Sequence, residues 1–434
     1  MKNESLKLEN VSYIDYRSDK IVKAKSILIE DGRIKFNSKK EAAKKIDCGN
    51  YIMTPSFVQI HTHICQHLYK GMAEDLSLFE WLKKHILPYE HKLTKDAIRL
   101  SCRMALYELI ESGTTVILDM GTFRFQEIIM EEIEKSGITG FSGNILLDRR
   151  VGKWSNSLDS YLDYTKEMIK AANKQKKSHY ALCPRFFPGI TKRGINKILA
   201  LKEEHGLILH THASETREEN LFAAKHYGKS NIKAMSDAGM LSDKTVIAHC
   251  IHLNDEDYEL LKLSRSTVCH CPSSNMKLGS GIADIERMNK MKINTGLGSD
   301  GAPCNNNMNQ LMEMRLCGLL QKVKNTSKSM TASSIFKMAT YNGLKPLSLD
   351  REMGTIEDNK KADFILFRRE SVHASPFDVN PFSSIIYSMY PSDIEYVFSS
   401  GKMLKEKGRV LCYDREKLLE DKRKFLKDLL FDRL

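Results

Sequence analysis

Two closely spaced histidine pairs in this sequence have the spacing of metal ligands. In PSFVQIHTHICQ, His61 and His63 are separated by one residue, so both side chains point to the same face of a strand. Such a pair can supply half of a metal site, although an isolated HxH can also arise from packing. In LILHTHASET, His212 can add a third nitrogen, and Glu215 follows three residues later, where it could carry a proton. His210 lies deeper on the same face and is interpreted as a core histidine.

Three later apolar segments also lead to a residue that can bind a metal or move a proton. TVIAHC contains His249, which could be a ligand or could hydrogen-bond the water on the metal. STVCHCPSSN contains His270, which could bind directly or could hydrogen-bond from behind the site. INTGLGSDG contains Asp300, whose carboxylate can both bind a metal and accept a proton. Packing alone does not explain this repetition, because a neutral core does not need imidazoles at the ends of successive strands.

The segments that carry these residues alternate in a regular way from about residue 55 to about residue 358. Short apolar runs precede longer amphipathic ones, as in TTVILDM before FQEIIMEEIEKSG and LILHTH before EENLFAAKHYG. This alternation is typical of strands and helices in a parallel sheet, and its many repeats predict an α/β fold, a closed (β/α)₈ TIM-like barrel. Active sites of such barrels lie at the carboxyl ends of the strands, which is where the candidate residues fall.

Both ends of the chain have a different sequence pattern from the central region. Residues 1–54 contain short β-rich runs such as KSILIEDGRIKF, with Asp31 and Gly32 as a hairpin turn, and residues 359–434 contain KKADFILFRRE and IEYVFSSGKMLKEKGRV. We expect the two ends to pair into one small β-sandwich module, since the ends of a domain often lie close together. The predicted catalytic barrel is then residues 55–358.

Composition excludes several classes of protein. No run approaches the roughly 20 apolar residues needed to span a bilayer, and the first residues lack the apolar core of a secretory leader, so we expect no membrane partner and a cytoplasmic location. The 10 cysteines are scattered and are expected to be reduced. The net charge of +12 comes from lysines dispersed among acids rather than from one basic block, which disfavours a nucleic-acid partner.

These motifs together resemble the amidohydrolase superfamily, in its branch of deaminases and triazine hydrolases. The matching segments are PSFVQIHTHICQHLYKGMAEDLSLFEWLKKHILPYE, HTHASET, AHCIHL, HCPSSNMKLGSGIADIERM and GLGSDGAPCNNNMNQLMEMRLCGLLQK. Within that branch the sequence is most similar to deaminases of 5′-deoxyadenosine, methylthioadenosine or S-adenosylhomocysteine. The resemblance implies a small heterocyclic substrate and a homo-oligomer. It also implies metal ligands at His61, His63, His212 and Asp300, and catalytic roles for Glu215, His249 and Asp300.

The same resemblance implies one divalent metal ion per chain and hydrolytic deamination. Relatives with two metals bridge them with a modified lysine, but here Arg185 follows Pro184 in the fourth-strand segment HYALCPRF. Zinc suits the nitrogen-rich ligand set best, and Fe²⁺ is also compatible. In the implied reaction Glu215 protonates the ring nitrogen, His249 orients the attacking water, and Asp300 passes a proton to the departing amine.

The resemblance leaves the substrate open. Trp81 and Glu90 match substrate-contacting residues of nucleoside deaminases, with Glu90 expected on the ribose hydroxyls, and Cys304 also fits that group. Gln66 and Arg185 instead resemble guanine deaminases, so guanine or 8-oxoguanine is the alternative substrate. Triazine dechlorination or cyclic-amide hydrolysis is an alternative of a different class.

One stretch departs from the nucleoside deaminases. Some of these enzymes have an arginine for the 5′ substituent where this chain has Asn144. Arg149 and Arg150 follow and could compensate. The departure favours a smaller 5′ group than homocysteine.

Overall fold

A computed structural model describes residues 5–149, 158–374 and 376–431. Its strands are β1 Leu6–Asp15, β2 Lys20–Glu30, β3 Arg33–Phe36, β4 Lys44–Asp47, β5 Tyr51–Pro55, β6 Phe57–His63, β7 Thr114–Asp119, β8 Thr139–Ser142, β9 Ile145–Leu146, β10 Ser178–Pro184, β11 Ile208–Ala213, β12 Thr245–His249, β13 Thr267–His270, β14 Thr295–Leu297, β15 Asp300–Gly301, β16 Phe364–Arg368, β17 Ile394–Ser399, β18 Lys402–Glu406 and β19 Arg409–Val410.

The helices follow the strands of the central region in most cases. They are α1 Leu78–Trp81, α2 Leu87–Lys92, α3 Lys95–Glu111, α4 Gln126–Ser136, α5 Leu158–Ala172, α6 Lys192–His205, α7 Arg217–Tyr227, α8 Asn231–Asp237, α9 Asp255–Ser264, α10 Pro272–Lys277, α11 Ile285–Lys290, α12 Ala302–Asn305, α13 Gln310–Lys324, α14 Ala332–Met338, α15 Tyr341–Leu344, α16 Pro381–Tyr387 and α17 Arg415–Phe431.

The central sheet is a closed parallel barrel. Strands β6 to β14 are hydrogen-bonded in the order β6, β7, β8, β10, β11, β12, β13, β14, with β9 continuing β8 along β10. β14 pairs with β13, while β15, three residues further along the chain, pairs with β6 and closes the ring. The predicted TIM-like barrel is confirmed, and the carboxyl ends of its strands meet on one rim.

The closing strand is interrupted because backbone segments crowd together there. A Cβ atom at Gly298, between β14 and β15, would lie 2.5 Å from the carbonyl oxygen of His61 and 2.9 Å from the sulfur of Cys269. Only glycine fits at that distance, so the chain can pass close to β6 and then turn outward. This turn places Asp300 beside His61 at the rim.

Side-chain caps fix where several barrel helices begin. Thr94 accepts a hydrogen bond from the Ala97 amide at the start of α3, and Thr191 does the same for Gly194 at the start of α6. Asn254 and Asp257 form a reciprocal capping box at α9. Such caps satisfy amides that have no partner inside the helix, each contributing roughly 1 kcal/mol.

The two ends of the chain form a second sheet. Its order is β19, β18, β17, β16, β5, β1, β2, β3, with β4 beside β1. The two ends of the chain meet where β16, near the C-terminus, pairs with β5, near the N-terminus. Side chains from both halves of this sheet share one apolar core, which includes Leu8, Ile27, Met53, Phe364 and Phe398. The sheet therefore curls around its own core beside the barrel. In the part of the chain that is described, no helix is long and apolar enough to cross a membrane.

Candidate metal centre and active site

Four side chains at the rim of the barrel converge on one point. His61 and His63 come from the end of β6, His212 from the end of β11 and Asp300 from β15, and their ligand atoms all lie within 4.8 Å of one another. His61 Nε2 is 3.3 Å from Asp300 Oδ1, and His63 Nε2 is 3.4 Å from His212 Nε2. The structure thus brings together the four residues that the sequence predicted as ligands.

The donor set fits a divalent metal ion. The Nε2 atom of His61 is buried and has no hydrogen-bond partner among the described residues, which leaves its lone pair free for an ion. Burial holds the pKa values of His63 and His212 well below the usual range, so both imidazoles are neutral, as ligation requires. Three neutral imidazoles and one carboxylate suit a divalent transition metal.

Three of the four predicted ligands are oriented by a hydrogen bond on the far side. His61 Nδ1 lies 2.8 Å from His210 Nε2, and His212 Nδ1 donates to the Arg185 carbonyl at 2.6 Å. Asp300 Oδ2 accepts from the Ser274 hydroxyl at 2.6 Å. These contacts point the ligand atoms inward and fix the histidine tautomers.

Glu215 and His249 stand beside the proposed ligands. His249 Nε2 is 3.5 Å from Glu215 Oε2 and 3.9 Å from Asp300 Oδ2. Burial, with the charges of Asp300 and Glu219, raises the pKa of Glu215 to about 7, and the charge of His249 opposes this. Burial acts to lower the pKa of His249, but Glu215 and Asp300 outweigh it and raise that pKa. The pair can therefore hold and release protons near neutral pH.

Two of these residues have a strained backbone. His249 has φ 74° and Asp300 has φ 60°, both in the left-handed region that non-glycine residues rarely adopt. His249 is the last residue of β12, and Asp300 is the first residue of β15. Such strain costs about 1–3 kcal/mol per residue and is retained where the surroundings and the function require it.

The cavity above this centre is apolar on one side. Besides the polar groups already described, it is lined by Leu78, Phe79, Trp81, Leu82, Phe186 and Leu278. Trp81 is buried, and its indole Nε1 has no hydrogen-bond partner among the described residues. The cavity continues past Phe79 and Phe186 into an outer cleft whose rim carries Lys83, Arg149 and Glu218. Apolar and aromatic side chains beside a few polar groups are the usual lining of a small-molecule site.

Gln66, Glu90 and Arg185 form a buried polar cluster. Arg185 Nη1 donates to both carboxylate oxygens of Glu90, at 3.0 and 3.2 Å, and the Gln66 amide donates to Glu90 Oε1 at 2.7 Å. The Glu90 side chain is fully buried. Glu90 accepts three hydrogen bonds from protein donors, only one of them on Oε2, and its contact with ribose hydroxyls stays a prediction. Arg185 itself lines the cavity.

The remaining predicted residues lie in different surroundings. Burial lowers the pKa of His270 to about 3, and neither ring nitrogen has a partner in the described chain, which does not support its predicted hydrogen-bonding role. The Cys304 thiol is buried and lies 3.0 Å from the Gly301 carbonyl oxygen. Asn144 accepts from the Tyr180 and Thr165 hydroxyls and is buried away from the cleft. Arg149 reaches the outer cleft, and Arg150 lies outside the described residues.

Sequence reasoning missed several polar residues around the centre. Ser274 and Asn275 contact Asp300 and His249, and both follow His270 in the segment HCPSSN, whose polar residues after a strand end could have drawn attention. The role of His210 was also missed, since it was interpreted only as a core residue. All three can be recognised only when the partner strand is known.

Comparison with known proteins agrees with this arrangement. The sequence pattern of the amidohydrolase family matches residues 52–404. The chain belongs to the amidohydrolase family. This amidohydrolase is a hydrolase of carbon–nitrogen bonds, and its residues form a site suited to a divalent metal ion.

Near-full-length relatives carry two kinds of name. The chain is 31% identical over 433 residues to a 5-methylthioadenosine/S-adenosylhomocysteine deaminase of Caldanaerobacter subterraneus subsp. tengcongensis, covering 98% of this chain and 99% of the relative. It is 34% identical to a 5′-deoxyadenosine deaminase of Methanosphaera stadtmanae, covering 93% and 95%. Among solved structures, a zinc-bound adenosine deaminase from Xanthomonas campestris superimposes with a TM-score of 0.93 at 22% identity, covering 98% of both chains. That likeness shows the shared fold.

Proposed function

We propose that this amidohydrolase deaminates a 5′-modified adenosine, such as 5′-deoxyadenosine, methylthioadenosine or S-adenosylhomocysteine, with zinc as its metal. The observation that carries the proposal is the convergence of His61, His63, His212 and Asp300 beside Glu215 and His249. The names of the near-full-length relatives support the same substrate class. The three-imidazole set favours zinc, and Fe²⁺ remains compatible.

The proposed chemistry assigns a separate task to each polar residue. A divalent ion at this centre would lower the pKa of a coordinated water toward ~7. Glu215, whose pKa is raised to about 7, donates a proton to the ring nitrogen next to the amino-bearing carbon. His249 orients the attacking water, and Asp300 accepts its proton and passes it to the amine. The remaining hydroxyl proton returns to Glu215 as ammonia leaves, so that an oxo group replaces the amino group and the acid is restored.

The shape of the cavity supports a nucleoside with a 5′ group. The metal-binding residues and Trp81 line its inner end, and the outer cleft begins beyond Phe79 and Phe186. A purine at the inner end would direct its 5′ substituent into that cleft. The Lys83 and Arg149 side chains at the rim could accommodate a polar substituent, so the cleft does not require the small 5′ group that Asn144 suggested.

A second candidate is guanine or 8-oxoguanine. Arg185 favours it, because the guanidinium lines the cavity while using only Nη1 on Glu90, which leaves donors for an oxo group. The relatives' names favour the adenosine class over this candidate.

An ammonia-release screen tests the proposal. The zinc-loaded protein is assayed with 5′-deoxyadenosine, methylthioadenosine, S-adenosylhomocysteine, adenosine, guanine, 8-oxoguanine and cytosine. The proposal expects the highest kcat/KM with a 5′-modified adenosine. Preference for guanine or 8-oxoguanine would select the second candidate, and chloride release from a triazine or ring opening of a cyclic amide without ammonia would reject deamination.

We also propose a homo-oligomer. Apolar side chains of Met312, Leu319 and Val323 are exposed along one face of α13, which is unusual for a surface that stays in water. Light scattering coupled to size exclusion measures the mass directly. A single species of 49.6 kDa would reject the proposal.

A further inference from the structure

Three consecutive residues after β13 each bond to a different group. Ser274 donates to Asp300 Oδ2 at 2.6 Å, and Asn275 Oδ1 lies 2.8 Å from His249 Nδ1. Ser273 faces the other way and bonds to Glu313. This segment, Ser273 to Asn275, therefore connects two residues of the proposed proton relay to a helix outside the barrel.

Glu313 lies on α13 and accepts three hydrogen bonds from residues of α10 and α12. The Ser273 hydroxyl and backbone amide donate at 2.5 and 3.2 Å, and the Asn305 side-chain amide donates at 2.8 Å. Asn305 also donates to the carbonyl oxygen of Ser299, the residue before Asp300. One carboxylate thus connects α10, which bonds to His249, with the segment from Ser299 to Asn305, which carries Asp300.

The electrostatics of Glu313 are unfavourable for stability alone. Its side chain is completely buried, and no ion pair involving it is found among the described residues. Burial raises its pKa to about 7, although Ser273 and Asn305 partly offset this. A buried carboxylate without a cation costs several kcal/mol before hydrogen bonds compensate. The cost of burying Glu313 therefore indicates that its three hydrogen bonds have a role other than packing.

We propose that Glu313 is a positioning residue for the deamination, acting through Ser273 and Asn305 to hold His249 and Asp300 in register with each other. The inference rests on the proposed function. Glu313 is not one of the residues that line the cavity or converge on the metal centre. Its effect is on how well the two relay groups are aligned when the proton moves.

Glu313→Gln is the informative substitution, since it keeps the size of the side chain. All three partners donate to Glu313, so the new amide group must face either the Ser273 amide or the Asn305 amide, and one of these contacts is lost. We expect kcat to fall at least about tenfold, corresponding to ~1.4 kcal/mol. KM should stay within about twofold and metal content should be unchanged. Ser273→Ala should lower kcat less, and the double variant should be no worse than Glu313→Gln.

A matched control separates positioning from general loss of stability. Glu132 is also a buried carboxylate on a barrel helix, α4, but it bonds to Arg99 and Arg103, away from the centre. Glu132→Gln is expected to lower the melting temperature without changing kcat or KM. If kcat falls equally in both variants, the effect is loss of folding rather than positioning, and the proposal is wrong.

Hydrogen exchange of the metal-free protein gives a readout independent of turnover. Peptides covering 272–275 should exchange at least about tenfold faster in Glu313→Gln and be unchanged in Glu132→Gln. The inference is overturned if Glu313→Gln shows unchanged exchange and a kcat within twofold of wild type. It is also overturned if the fall in kcat of this variant is fully explained by loss of metal. If Glu313→Gln does not fold, Ser273→Ala decides in its place, and an unchanged kcat there rejects the idea. If the wild-type protein itself releases no ammonia, the proposed function is wrong, which is a different result from an unchanged Glu313→Gln variant.

Discussion

Glu215→Gln should stabilise the metal-free protein at alkaline pH while it abolishes turnover. Glu215 is buried beside Asp300 and Glu219, and its pKa is raised to about 7 from 4.5. Its contact with the Ser280 hydroxyl is long, at 3.4 Å, so little hydrogen bonding is lost on substitution. An amide of the same shape removes the buried charge and leaves the packing in place.

The magnitude follows from proton linkage. Between pH 4.5 and pH 7 the folded state holds a proton on Glu215 that the unfolded state has released, so wild-type stability falls as pH rises through this window. The difference of about 2.5 pKa units corresponds to about 3 kcal/mol at most. From pH 5 to pH 8 we expect the free energy of unfolding to shift by about 2 kcal/mol in favour of the glutamine variant.

Urea unfolding of chelator-treated protein at pH 5 and pH 8 measures this shift. The control is Glu218→Gln, an exposed carboxylate three residues further on, which should change the difference by less than about 0.5 kcal/mol. In the metal-loaded protein the same Glu215 variant should retain its ion but lose at least ~10²-fold in kcat. A stability difference that does not depend on pH would refute the burial argument, and near-normal turnover would refute the proton-transfer role.

Three further predictions test the surroundings of the centre. His210→Ala should weaken metal affinity 10–100-fold, as measured by competition with a chelator, because His61 loses the residue that orients it; unchanged affinity would contradict this. Arg185→Met should cost 3–5 kcal/mol in urea unfolding, because Glu90 stays buried without its cation, whereas Arg185→Met with Glu90→Gln should recover much of that loss; equal stability of both variants would be contrary evidence. Burial lowers the pKa of Lys405 to about 8 from 10.5, so between these values the unfolded state holds a proton that the folded state has released, and wild-type stability rises with pH. Lys405→Met should therefore cost about 1 kcal/mol more in urea unfolding at pH 9 than at pH 6; a loss independent of pH would count against it.

The ligand set could be predicted from the sequence because its geometry is local. His61 and His63 share a strand face, and a barrel brings every strand end to one rim, so residue spacing and fold class together place the ligands. The module formed by the two chain ends could be predicted for a similar reason. Its β-rich runs are not separated by helices, so they do not fit the alternation of strands and helices in the barrel.

The contacts of Glu90, His270 and Glu313 could not be predicted in the same way. Each depends on which side chain from a distant segment occupies the adjacent space. Glu90 meets Arg185 across the barrel mouth, and Glu313 meets Ser273 from outside the barrel. A polar residue of a single sequence does not reveal its partner, so the protein contacts of Glu90 and the lack of hydrogen-bond partners for His270 among the described residues could not be foreseen.

The left-handed backbone at His249 and Asp300 has an evolutionary consequence. Asparagine or glycine would relax both positions, so mutation offers a gain in stability at the two places where turnover needs a particular side chain. A gene copy released from selection for activity should drift at these positions early. Retention of both residues in a distant homologue would then mark it as a working enzyme more reliably than overall identity does.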